Sequence, residues 1–202
     1  MHRDETSVHA FSTGKVPCSA HPPTTAGTFM TRDILKTLKA EHDELRGLFA
    51  ELKETTDRGV KKREGLLEKI EDALIPHAKW EETVFYPAFK ERADREGLQA
   101  CAEAYTEHHA VENTVIPEVH AADPGSPEFA GRTKVFGEFV DHHAKEEEST
   151  MFKMARQMFS AQERAQFDED YENWKQSSAS AAMIAGEKAK AGIRSMAKSM
   201  TQ

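Results

Sequence analysis

Two sextets, HAKWEE at residues 77–82 and HAKEEE at residues 143–148, repeat one another at an interval of 66 residues. Each sets a histidine four residues ahead of a glutamate, the spacing that stacks two side chains on one face of an α-helix. The same interval relates AEHDEL around His42 to TEHHAV around His108. A chain written this way is two copies of one helical hairpin. Both copies place ionisable residues where an amphipathic helix keeps its apolar stripe.

Four such stripes follow from the helical period. The first is Leu35, Leu38, His42, Leu45, Phe49 and Leu52, with Thr31 or Asp33 as its N-cap. The second is Leu67, Ile70, Leu74, His77, Glu81, Val84 and Ala88, and the third is Leu98, Cys101, Tyr105, His108, Glu112 and Val115. The fourth is Phe136, Phe139, His143, Glu147, Thr150 and Met154, with Val140 and Met151 at its edge. Breaker clusters at residues 55–59, 94–97 and 123–127 separate them, so the connections are short and consecutive helices are antiparallel neighbours. The points midway between 42 and 77, 81 and 108, and 108 and 143 all fall in or beside those turns, which brings the four histidines to one level.

The expected fold is all-α, an up-down-up-down antiparallel four-helix bundle over residues 30–176. Ser160 and Glu163 form a capping-box pattern for a short fifth helix carrying Phe167, Tyr171 and Trp174. Residues 1–29, without periodicity, are expected to be a disordered extension. Residues 177–202, rich in Ala, Ser and Lys, are expected to be a frayed solvated tail, the alternative being a basic amphipathic helix whose weak stripe of Ile193, Met196 and Met200 touches a membrane or a protein partner.

A net charge of −8 argues against a nucleic-acid partner, since phosphate binding rests on clustered Lys and Arg. Two cysteines make no disulfide framework, and a reducing, cytoplasmic setting is expected. No apolar run reaches the roughly 18 residues of a membrane helix, so no membrane is expected.

Four imidazoles (His42, His77, His108, His143) and two carboxylates (Glu81, Glu147) thus share one layer of a dry core. An unpaired buried carboxylate costs several kcal/mol against a total stability of about 5–15 kcal/mol, so the layer calls for bound positive charge. Six side chains with two carboxylates able to bridge supply about eight donor bonds, too many for one tetrahedral zinc and suited to two ions with open positions. Imidazole and carboxylate without thiolate favour iron or manganese on geometry, with zinc as a contaminant.

The order His, His-x-x-x-Glu, His, His-x-x-x-Glu on four successive helices resembles the hemerythrin-like, HHE cation-binding domain family over about Thr31 to Phe159. The resemblance implies an oxo- or hydroxo-bridged pair of irons held by His42, His77, Glu81, His108, His143 and Glu147, with O2, H2O2 or NO as the small ligand. Oxygen-carrying hemerythrins have a histidine one turn after the third-helix ligand, and here Glu112 stands in that place. As a third carboxylate ligand it would favour the ferric state, and redox chemistry over oxygen carriage.

Other residues near the stripes are assigned simpler roles. His109 and His142 point about 100° away from their neighbours and are expected at the surface. Glu82, Glu146 and Glu148 read as a solvated acidic face, with a role in orienting a ligand imidazole as the alternative. Tyr105 is either a core tyrosine with a bonded hydroxyl or a redox-active phenol beside the metals. Pro76 removes a backbone bond one residue before His77. Three functions fit: an oxidoreductase with catalase-like or NO-reducing activity, a non-catalytic oxygen or iron sensor, and a structural bundle stapled by metal.

Overall fold

The computed structural model describes residues 32–199, all of whose regular structure is helical. The expectations for residues 1–29, and for Met30, Thr31 and Met200, lie outside those residues. The first helix, α1 (Ile34–Lys53), is capped by Asp33, whose side chain accepts from the Leu35 amide at 3.1 Å. The second run is α2 (Val60–Trp80), a π-helical turn π1 (Glu81–Phe85) and α3 (Tyr86–Lys90). The third is α4 (Arg95–Ala110), π2 (Val111–Val115) and α5 (Ile116–His120). The fourth is α6 (Pro127–Glu146), π3 (Glu147–Met151) and α7 (Phe152–Met158). Then come α8 (Ala161–Lys175), with the expected capping box at Ser160 and Glu163, and α9 (Ser178–Ser199).

Contacts between runs fall at heights equidistant from the turns. His42 meets His77 while Arg63 donates to Thr55, and His108 meets His143 while Arg132 donates to the Glu118 carbonyl. Between the second and third runs Tyr86 packs edge-on against Tyr105, and between the first and fourth Arg46 donates to Asp141. Two apolar clusters flank the histidine level. One gathers Ile34, Leu38, Trp80, Phe85, Phe89 and Phe152, and the other Leu45, Leu52, Ile70, Phe129 and Phe136.

The π turns were not legible from the 3.6-residue period, and they explain most departures from it. Each is closed by an amide bonding five residues back: Tyr86 to Glu81, Ile116 to Val111 and Phe152 to Glu147. Pro87 and Pro117 come two residues after the end of two of them; lacking an N–H and crowding the carbonyl four residues back, they favour the wider turn. The extra residue rotates everything after it. Phe85, Tyr86 and Phe89 are buried where Val84 and Ala88 were expected, and Met151, Phe152 and Ala155 where Thr150 and Met154 were. Leu98 and Phe139 are exposed, because Gly97 and Ala104 carry the buried face of α4, and Phe136 and Val140 that of α6.

The frayed-tail expectation is corrected. Residues 178–199 form a helix packed against α5, α2 and π2, with Lys188 paired to Asp72 and Ser180 buried. Ile193 and Met196 on it are exposed. Among the described residues no helix is long and apolar enough to cross a membrane.

Candidate metal centre

The helical period delivers four imidazoles to one level, and their ring nitrogens divide the work. Each Nδ1 faces a carboxylate: His42 faces Glu148 at 3.1 Å, His77 Glu41 at 2.9 Å, His108 Glu82 at 3.1 Å and His143 Glu107 at 2.8 Å. An ionised carboxylate only accepts, so each Nδ1 carries a proton and each ring turns its Nε2 inward. Those Nε2 atoms meet in pairs, His42 with His77 and His108 with His143, both at 3.1 Å. Two lone pairs at that distance repel unless a proton or a cation lies between them.

Glu81 and Glu147 complete the level, and both are buried. Glu81 Oε1 is 3.1 Å from His77 Nε2, its Oε2 is 3.6 Å from His108 Nε2, and Glu147 Oε2 is 3.4 Å from His42 Nε2. Glu81 Oε1 and both Glu147 carboxylate oxygens have no hydrogen-bonding partner. Orphaned anionic oxygens opposite inward-facing imidazole nitrogens are what a cation would satisfy, so the residues fit a metal. Donor atoms of His42, His77, Glu81 and Glu147 lie within 4.8 Å of one another, as do those of Glu81, His108 and His143.

The ionisation of the level follows from the same geometry. Burial works against a charged His77, yet Glu81 and Glu41 outweigh it and raise its pKa well above the ordinary value; His143 is raised likewise against burial by Glu107 and Glu147. Burial opposes an ionised Glu147, but His42 and its neighbours bring its pKa down to about 2. Protons on imidazole thus balance the carboxylates, and binding of a cation would release them.

Glu112 does not join the other six. Its Oε1 is 2.6 Å from Lys79 Nζ, itself 2.9 Å from Glu82. The wide turn starts at the glutamate in Glu81 and Glu147 but one residue before it in Glu112, which leaves this side chain turned toward the second run. The repeat carried a warning, because the position 66 residues earlier is Arg46. Tyr105 takes the plainer of its two roles, donating to the Glu82 carbonyl at 2.8 Å. The phenol beside the carboxylates is instead Tyr86, buried, with its hydroxyl 3.4 Å from Glu81 Oε2 and its ring 5.6 Å from that of His108. Five residues separate it from Glu81, a spacing that shares a face only across a π turn.

Glu82 and Glu148 are not a solvated face but partners of His108 and His42, orienting those imidazoles. Glu146 is exposed, as are His109 and His142. A cavity of about 40 Å³, walled mostly by Leu45, Leu74, Ile75, Ile116 and Val140 but with Lys79, Glu82, Glu107 and Glu112 also on its lining, reaches all four histidines. That exceeds the ~10–15 Å³ that one water molecule needs.

Helical runs that bury a cluster of histidine and glutamate suited to metal define a class of cation-binding fold. The chain belongs to the hemerythrin HHE cation binding domain family, which matches residues 33–155, more than half of its length. A solved hemerythrin HHE cation binding domain-containing protein from Mycobacterium kansasii has the same fold, with a TM-score of 0.60 and 20% identity over 83% of this chain and 94% of that one. A DNA nickase of Nostoc sp. strain PCC 7120 is 27% identical over 139 residues, 69% of this chain. The chain spans 38% of that relative's length.

Proposed function

We propose that the protein holds two iron ions in an up-down-up-down four-helix bundle, with α8 as a fifth helix across it. In this reading His42, His77, Glu81 and Glu147 hold one ion, Glu81, His108 and His143 hold the other, and Glu81 is shared. The centre carries out redox chemistry on peroxide, dioxygen or nitric oxide rather than reversible oxygen carriage. The observation that carries the reading is the set of three orphaned carboxylate oxygens facing four imidazoles whose Nδ1 atoms are already engaged.

Bound iron supplies one-electron steps and open positions for a small ligand. The protein does the rest. The four Nδ1 partners fix each ring's tautomer and direction. Burial, with the nearby Glu147 and Glu81 charges, raises the Tyr86 pKa well above its ordinary value, so the phenol keeps its proton and offers it at Glu81. The small, largely apolar cavity is sized for a small molecule. Reduction of peroxide or nitric oxide consumes protons, and the centre is ringed by groups that hold them. Glu112 is not proposed as a ligand, because Lys79 neutralises it.

Elemental analysis of protein from iron-supplied cells tests the reading. About two irons per chain are expected, with a large loss in His77→Ala and oxygen evolution from peroxide only in the loaded wild type. No transition metal in the wild type would leave only the structural-bundle reading. The Nostoc relative's name adds one assay, nicking of supercoiled plasmid by the loaded protein, for which the net charge of −8 sets an expectation of none.

A further inference from the structure

Outside the centre, Glu107, His142 and Glu146 form another group whose donor atoms lie within 4.8 Å of one another. His142 Nε2 is 3.5 Å from Glu107 Oε1 and 3.4 Å from Glu146 Oε1, and the histidine is well exposed. Glu107 faces both ways, because its other oxygen accepts from His143 Nδ1 at 2.8 Å. Behind the group lies a cavity of about 200 Å³ lined by Glu103, Glu107, Glu146, His143 and Glu147. Its inner wall includes Glu147, whose two buried carboxylate oxygens have no hydrogen-bonding partner. A string of carboxylates therefore runs from solvent to the buried level.

The other half of the repeat shows that this opening is not a by-product of the fold. Sixty-six residues earlier the group reads Glu41, Pro76 and Trp80. Trp80 is fully buried, its ring 4.9 Å from that of Tyr171 on α8. Glu41 accepts from the Tyr171 hydroxyl at 2.8 Å and Lys175 Nζ at 3.0 Å. Ile34 and Leu38 stand where the open half has Ala100 and Ala104. In that half a cavity of about 370 Å³ beside Glu41 and Pro76 stops short of His77 and Glu81, where large apolar side chains and α8 fill the space, while small side chains, a histidine and acids leave the other half open as far as Glu147.

We propose that Glu107, His142 and Glu146 are a surface capture site for a divalent transition-metal ion, and that the polar cavity behind them is its route to Glu147. The inference rests on the reading of the buried level as a metal centre. One imidazole and two carboxylates suit a hydrated Fe²⁺ or Mn²⁺ that keeps water in its remaining positions. A charged ion passes along a string of carboxylates at far lower desolvation cost than past apolar side chains.

The test mixes metal-free, full-length protein with Fe²⁺ anaerobically, strips free ion at set times and measures bound iron. A His142→Ala/Glu146→Ala variant should reach the wild-type content with uptake slowed tenfold or more. Equal rates would overturn the route while leaving the centre standing. A wild type that never takes up iron would instead overturn the centre on which the inference rests. An independent readout uses protein whose centre is filled with zinc: added Mn²⁺ should broaden the His142 ring resonances before those of His109. Equal broadening of the two would overturn the capture site.

Discussion

HAKWEE and HAKEEE differ at one position, and the two halves of the molecule diverge around it. Trp80 is a core residue beneath α8, whereas Glu146 is exposed at the mouth of a polar cavity. Inside, the halves match. Each pairs two imidazoles Nε2 to Nε2, offers one buried glutamate, and braces each Nδ1 with a carboxylate from the same repeat position. What braces the carboxylates differs. Arg46 on the first run holds Glu148 at 2.9 Å, while Lys79 holds Glu82 at 2.9 Å, with Glu112 at the place corresponding to Arg46. Tyr86 and Phe152 also correspond, so one half sets a phenol near His108 and the other stacks a plain ring on His42. The two halves keep the same side chains at the level and differ in what surrounds them.

Metal content would break this comparison most directly. The His42 side has four donors and the His108 side three, so His143→Ala should keep about one ion per chain. His77→Ala, which removes a donor from the fuller set, should lose most of both, as measured by elemental analysis. Equal losses would mean that the halves are not distinct sites.

Stability sharpens the contrast at the differing letter. Trp80→Ala should cost about 3–5 kcal/mol through the cavity it leaves beneath α8. Glu146→Ala, one repeat later, should stay within about 0.5 kcal/mol. Denaturant melts of the two variants give both numbers, and similar costs would contradict the sealed and open assignment.

Tyr86→Phe should leave the metal content intact and cost about 1 kcal/mol or less, while changing the visible spectrum of the loaded protein. Tyr105→Phe should leave that spectrum alone. Glu112→Ala should also leave metal content and spectrum unchanged, since the structure sets it on Lys79.

The smallest effect concerns His120, bonded to Glu71 at 2.5 Å. That bond raises its pKa above the ordinary 6.5. A raised folded-state value means that the pair's stabilisation is fully present below the unfolded pKa and fades as pH rises through the folded one. Glu71→Gln should therefore lower the melting temperature more at about pH 6 than at about pH 9. A difference independent of pH would remove the titrating pair from the account.

How much could be read in advance varied with how local the cause was. The histidine level was legible because helical spacing and turn position suffice to place His42, His77, His108 and His143. The capping box of α8 was legible for the same reason. Tyr86 was missed because its approach to Glu81 depends on a π turn, which a regular period cannot show. The bracing roles of Glu82 and Glu148 depend on neighbouring runs, and charged residues beside a ligand position look the same whether they face water or an imidazole. Glu112 rests on Lys79 rather than among the other carboxylates, and the Arg46 at its equivalent position in the repeat accords with that placement. The helix at residues 178–199 was undervalued because its own stripe is weak and its support comes from α2 and α5.

The sequence by itself determined the helices, the internal repeat and the layer of donors, because those rest on periodicity and on distance from a turn. Only the tertiary structure decided which carboxylates face imidazole, which phenol stands at the centre and which half is open. Those outcomes depend on the extra residue of each π turn and on where α8 and α9 pack, and neither is encoded in the spacing of any one helix.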